Sequence, residues 1–179
     1  MTSSNTLANP SALGLFGFGM ATIVLSISNA GAFDPNTAVL AMGFMCGGVA
    51  QIIAGLIDFK KNNMFGATVF TMFGLFWMTL VAIKLNLAGI ATEPATMGTV
   101  FVVWGTLAAV FSLCVAKKNI PLRLVFYGLI ILFALLAASE FAEMELLKNI
   151  AGVLGVMCGA GAFYVGVTEF LKCKEDHAS

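Results

Sequence analysis

The sequence predicts an all-α membrane protein of six transmembrane helices, and three observations carry that reading. Of its 179 residues, 60% are hydrophobic and only 10% charged, where a soluble domain carries about 25% charged residues. The apolar residues gather into six runs, each about long enough to cross ~30 Å of hydrocarbon at ~1.5 Å per residue. The basic residues collect in alternate loops. At roughly 20 residues per crossing, helices and short loops use the whole chain, so residues 1–179 read as one domain.

The spans lie near 12–33, 37–57, 64–83, 95–116, 121–139 and 149–171. Asn9-Pro10 opens the first, since Asn caps helices well and Pro suits the first helical position. No Lys or Arg precedes this run, so it lacks the basic region of a secretory leader and is expected to stay in the mature protein. The turn from Gly31 to Asn36 ends it. The second helix closes at the charged break from Asp58 to Asn63. The third ends at Lys84, expected to snorkel to the outer surface, before a longer loop to Pro94. Lys117-Lys118-Asn119-Ile120-Pro121 makes a tight basic turn between the fourth and fifth. Glu140 to Lys148 forms an acidic loop, with Glu140 at the outer mouth. The sixth helix runs into a polar tail, Cys173 to Ser179.

Six crossings put both termini and the second and fourth loops on one side. That side holds Lys60, Lys61, Lys117, Lys118, Arg123, Lys172 and Lys174, seven basic residues against two, Lys84 and Lys148. By the positive-inside rule both termini face the cytoplasm.

Two pentapeptides echo each other, G-F-M-C-G at 43–47 and G-V-M-C-G at 155–159. Aromatic-Gly pairs begin the odd helices, Phe18-Gly19, Phe73-Gly74 and Tyr127-Gly128. Three tandem hairpins or coincident packing needs both account for this. Gly43-x-x-x-Gly47 and Gly155-x-x-x-Gly159 mark helices 2 and 6 as closely packed, within a protomer or between protomers.

Composition excludes several classes. No basic tract exceeds two residues, so nucleic acid is not an expected partner. The scattered Cys46, Cys114, Cys158 and Cys173 read as small apolar side chains, and His177 is the only histidine. No metal site, cofactor or enzymatic motif is expected; the glycines from Gly14 to Gly19 follow no strand, so they are no nucleotide loop. What remains is a set of polar groups in apolar helices. Phe18, Thr22, Leu25 and Asn29 share one face of helix 1 and form a candidate pore stripe or a packing face. Gln51, mid-helix 2, needs a partner in lipid, either a neighbouring helix or a substrate. Trp77 and Trp104 lie deep in their spans, suited to core or pore. The free N–H groups at Asn9-Pro10 suit a carboxylate.

N-P-S-A-L-G-L at 9–15, F-G-F-G-M at 16–20 and S-N-A-G at 28–31 resemble the acetate uptake transporters, which include the bacterial succinate–acetate permeases. Softer similarity continues through A-M-G at 41–43, A-Q-I-I-A-G-L at 50–56, F-W-M-T-L-V-A at 76–82 and L-F-A-L-L-A at 132–137. The resemblance implies a homohexamer in the cell membrane with one pore per protomer, passing acetate and other small monocarboxylates and in some members succinate. It implies a hydrophobic constriction at Phe18, Phe73 and Leu132, with Asn9, Pro10 and Leu13 from the N-terminal motif at the cytoplasmic entrance. Two departures stand out: Ala12 where the motif has a second Pro, and Phe73 where a Tyr is common.

Three functions are expected in descending order. The first is a pore for acetate and related carboxylates, crossing as the anion or with a proton. The second is a pore for urea-like neutral amides. The third is a membrane sensor or assembly protein that moves nothing.

Overall fold

A computed structural model describes residues 7–115 and 119–172. It contains six helices long and apolar enough to cross a membrane: α1 Ser11–Asn29, α2 Thr37–Lys60, α3 Met64–Lys84, α4 Pro94–Cys114, α5 Ile120–Ala142 and α6 Glu145–Leu171. Among the described residues there is no strand. Lys117, Lys118, Cys173, Lys174 and His177 lie outside the described residues.

Three boundaries differ from the sequence reading. α1 stops at Asn29 rather than 33, because Gly31 takes a left-handed φ of 88° and turns the chain. α2 runs through the charged break to Lys60, and Asp58 within that break is 1% exposed rather than solvated. The acidic loop is almost absent. α5 reaches Ala142, Glu143 caps it in the left-handed region at φ 49°, and α6 begins at Glu145.

The helices pack in ring order. α1 meets α2 and, most extensively, α6; α2 meets α3; α4 meets α5; α5 meets α6. Only the α3–α4 seam is held apart, and aromatic rings fill it. Phe73 lies 5.9 Å from Phe111 and 6.4 Å from Trp104, and Phe76 lies 5.2 Å from Trp104 and, beyond the seam, 5.2 Å from Phe133 of α5. Tilted and edge-on pairs at such spacing are favourable beyond their area.

Glycine sets the closest approach. A Cβ on Gly19 of α1 would stand 2.9 Å from the Gly159 carbonyl oxygen, and one on Gly159 would stand 3.0 Å from that of Gly19. A Cβ on Gly152 would strike the backbone of Ser26 and Ala30. The small residues of α6 thus serve α1 within the protomer. Those of α2 face α3, with Trp77 lying over Gly43 and Gly47.

The echoing pentapeptides differ in conformation. Gly43–Ala50 is wound as a π-helix inside α2, while 155–159 is regular α-helix. The aromatic-Gly pairs differ too: Phe18 and Phe73 are buried, but Tyr127 is 44% exposed and accepts a hydrogen bond from Arg123 Nη2 at 3.0 Å. Outward surfaces carry Leu56, Val103, Leu113, Leu124 and Met157, all exposed, as suits lipid or a neighbouring copy.

Gly152→Ala should destabilise the protein by about 1–3 kcal/mol, since its Cβ meets backbone that cannot yield. Gly128→Ala meets only Cys158, at 3.7 Å, and should stay within about 1 kcal/mol of the parent. Thermal unfolding in detergent compares the two.

Candidate transport pathway

Two cavities lie end to end along the bundle. The terminal one, near the start of α1 and the end of α6, encloses about 180 Å³ and is lined by Leu15, Phe18, Gln51, Phe73, Phe126 and Glu169 among others. The distal one, about 50 Å³, is lined by Phe18, Thr22, Leu25, Asn29, Leu132 and Glu140 among others. Phe18 and Leu129 wall both. Phe18 and Phe73 face each other with ring centroids 6.0 Å apart, so the division between the cavities is aromatic and aliphatic.

α1 builds one side through its period. Phe18, Thr22, Leu25 and Asn29 recur on one face, and all four line the distal cavity. Thr22 is 5% exposed and its hydroxyl has no protein partner. Gln51 follows directly on the π-helical stretch of α2 and lines the terminal cavity. It is 1% exposed, and its Oε1 has no partner. Unsatisfied polar groups therefore sit on both sides of the aromatic division, Gln51 in the terminal cavity and Thr22 and the Trp77 indole N–H in the distal one. Such groups are costly without water or a ligand.

The terminal cavity also gathers helix starts. Asn9 Oδ1 accepts from Ser11 N–H at 3.1 Å, Asn63 Oδ1 from Gly66 N–H at 3.3 Å, and Asn119 Oδ1 from Leu122 N–H at 3.2 Å. Ser11, Asn63, Gly66, Asn119 and Leu122 all line this cavity, so the positive ends of α1, α3 and α5 converge there. Asn63 Nδ2 donates to Asp58 Oδ1 at 2.9 Å, while Asp58 Oδ2 is buried without a partner. At the rim, Asn9 Nδ2 donates to Glu169 Oε2 at 3.1 Å and Lys172 Nζ to Glu169 Oε1 at 2.6 Å.

The N-terminal motif departs from its expected place. Leu13 lies outside both cavities and is 42% exposed, because the pathway face of α1 runs through Leu15 and Phe18 and Leu13 projects outward. Asn9 and Pro10 do not line a cavity either; Asn9 reaches one only through Glu169 and Ser11. Lys84 is exposed as expected but also lines the distal cavity with Glu140 and Lys148. Trp77 lines that cavity too; Trp104, half-buried, lines neither. The sequence reading missed Leu129, which stands three residues before Leu132 on the same helical face, and Asn63 and Asn119, whose signal was an Asn just before each odd helix.

Residues 1–177 match the GPR1/FUN34/yaaH family. The chain belongs to that family. It is 44% identical over 170 residues to the Succinate-acetate/proton symporter SatP of Escherichia coli, covering 93% of this chain and 90% of that one. It is 32% identical to Acetate permease A of Emericella nidulans, covering 88% of this chain and 59% of that one. A solved structure of the bacterial acetate channel SatP superimposes with a TM-score of 0.91 at 42% identity, over 94% of this chain and 95% of that one. This family member is accordingly a multi-pass membrane protein, all-helical, with six membrane-spanning helices.

Asn63→Ala should cost about 2–4 kcal/mol, since it removes the cap of α3 and strands the buried Asp58 carboxyl. Asn36→Ala removes only the exposed cap of α2 and should cost about 1 kcal/mol. Melting temperatures of the two variants check the difference.

Proposed function

We propose that this protein moves acetate and related small carboxylates, succinate among them, through the two cavities, and that Phe18, Phe73 and Leu132 form the constriction between them. The observation that carries this reading is the pairing of an apolar division with unpartnered polar side chains on either side, Gln51 on one and Thr22 and Trp77 on the other. Acetate has a methyl end and a carboxylate end. An apolar neck suits the methyl and rejects bulkier solutes. Gln51, Thr22, Asn29 and the three converging helix starts suit the oxygens. The names of the relatives support the same substrate class and weigh against the urea-like alternative. The role is transport and not catalysis.

Passage through the neck fixes what must be tested. A bare carboxylate loses its hydration there at great cost. The neutral acid crosses far more cheaply, although an ordinary carboxyl pKa near 4–5 leaves only about 0.1–1% of it at pH 7. Crossing as the acid carries one proton per molecule, and crossing as the anion carries none.

Both termini are assigned to the cytoplasm and Asn9 and Pro10 to the entrance on that side, where Asn9 steadies Glu169 at the cavity rim. A homohexamer with one pore per protomer is the proposed assembly, supported by the exposed apolar faces of α2, α4, α5 and α6. Residues 1–179 act as one domain.

Labelled acetate uptake into proteoliposomes, with and without an inward proton gradient, tests the function, with urea as the control solute. Uptake above protein-free vesicles is expected, and urea uptake without acetate uptake would refute the reading. Phe18→Ala and Leu132→Ala should each widen the neck and admit longer acids such as butyrate at least several-fold faster relative to acetate. An unchanged substrate range in both would remove the constriction from these residues.

A further inference from the structure

The distal cavity holds an unbalanced set of charges. Lys84 ends α3, Lys148 sits in the first turn of α6, Glu140 lies near the end of α5, and all three line the same cavity. Two ammonium groups thus face one carboxylate. Among the described residues the only ion pair is Lys172–Glu169, at the other end of the bundle, so neither lysine is neutralised by close pairing. Glu143 and Glu145 lie in the nearby turn but do not line this cavity.

Lys148 is placed against local preference. The first turn of a helix favours acids and disfavours cations, and Glu145 obeys that rule where Lys148 breaks it. Residues that break a local rule without a local gain point to function. Deeper in the same cavity the buried Thr22 hydroxyl has no partner, and Asn29 offers a further amide. The wall therefore runs from a cationic mouth to neutral hydrogen-bonding groups before the aromatic division.

We propose that Lys84 and Lys148, only partly offset by Glu140, form an anion-recruiting station at the distal mouth that concentrates small carboxylates ahead of the neck. The choice of carboxylate as its ligand rests on the proposed function; the positive field does not. Two charges about 5 Å from an anion in a water-filled mouth raise its local concentration by about tenfold at low salt. The station acts before the neck and so adds selectivity for charge to the neck's selectivity for shape.

A transport-independent measurement reads the field directly. Leu136 also lines the distal cavity. With the native cysteines replaced by serine and Leu136→Cys introduced, an anionic methanethiosulfonate should modify the new thiol several-fold faster than a cationic one of similar size. The comparison is made at about 10 mM salt, where fields reach about 30 Å, and should fade near 1 M, where they reach about 3 Å. Adding Lys84→Gln and Lys148→Gln should abolish or reverse the preference, and adding Glu140→Gln should strengthen it. Equal rates for both reagents at low salt, or a preference that survives loss of both lysines, would overturn the proposal. Acetate uptake by the same lysine variant in proteoliposomes, otherwise native, should fall about fivefold to tenfold at low salt and recover at high salt. A labelling preference in a protein that moves no acetate would sink the transport reading and leave the station standing.

Discussion

The whole architecture depends on how closely α6 lies against α1. Gly19 and Gly159 bring their backbones together, and Gly152 lets α6 cross directly over Ser26 and Ala30. In lipid no hydrophobic effect drives helices together, so contact at this range is where packing gains accumulate. The contact also decides orientation. With one stripe of α1 held by α6 and Gly17 held against Cys46 and Ala50 of α2, the stripe through Phe18, Thr22, Leu25 and Asn29 is left to face the cavities. A pathway wall is thus the by-product of a packing face one residue away.

The opposite wall is made differently. Across the α3–α4 seam the backbones stay apart, and rings bridge the gap. Phe73 has Phe18, Trp104, Phe111 and Phe126 around it within 6.4 Å. At this position, where the resemblance led one to expect Tyr, Phe73 also lines the terminal cavity. Close glycine contact on one flank and ring stacking on the other leave the central space narrow but not sealed.

Much of this was legible from residue type and period. The six crossings follow from apolar runs, and the distal wall of α1 follows from a 3.6-residue repeat that needs no partner to be recognised. Phe73 and Gln51 line the terminal cavity and Leu132 the distal one. The rest needed three dimensions. Leu13 belongs to the same motif as the pathway face but points away, because a motif has no direction until its helix is docked. Asp58 reads as part of a solvated break, yet Asn63 folds back to hold it, a contact across a turn that hydropathy cannot register. Lys84 and Lys148 are 64 positions apart in the chain, and only the ring order brings them to one mouth.

The π-helical stretch Gly43–Ala50 bears on how the chain tolerates changes in length. A π turn accommodates an additional residue within a helix. Removing one residue from an ordinary α-helix rotates everything beyond it by about 100°, which would swing Gln51 off the pathway. In α2 the wider winding holds slack, and a single deletion between Gly43 and Ala50 can be absorbed by tightening to α-helix while both ends keep their faces. Among the described residues, this is the crossing whose register is adjustable from within.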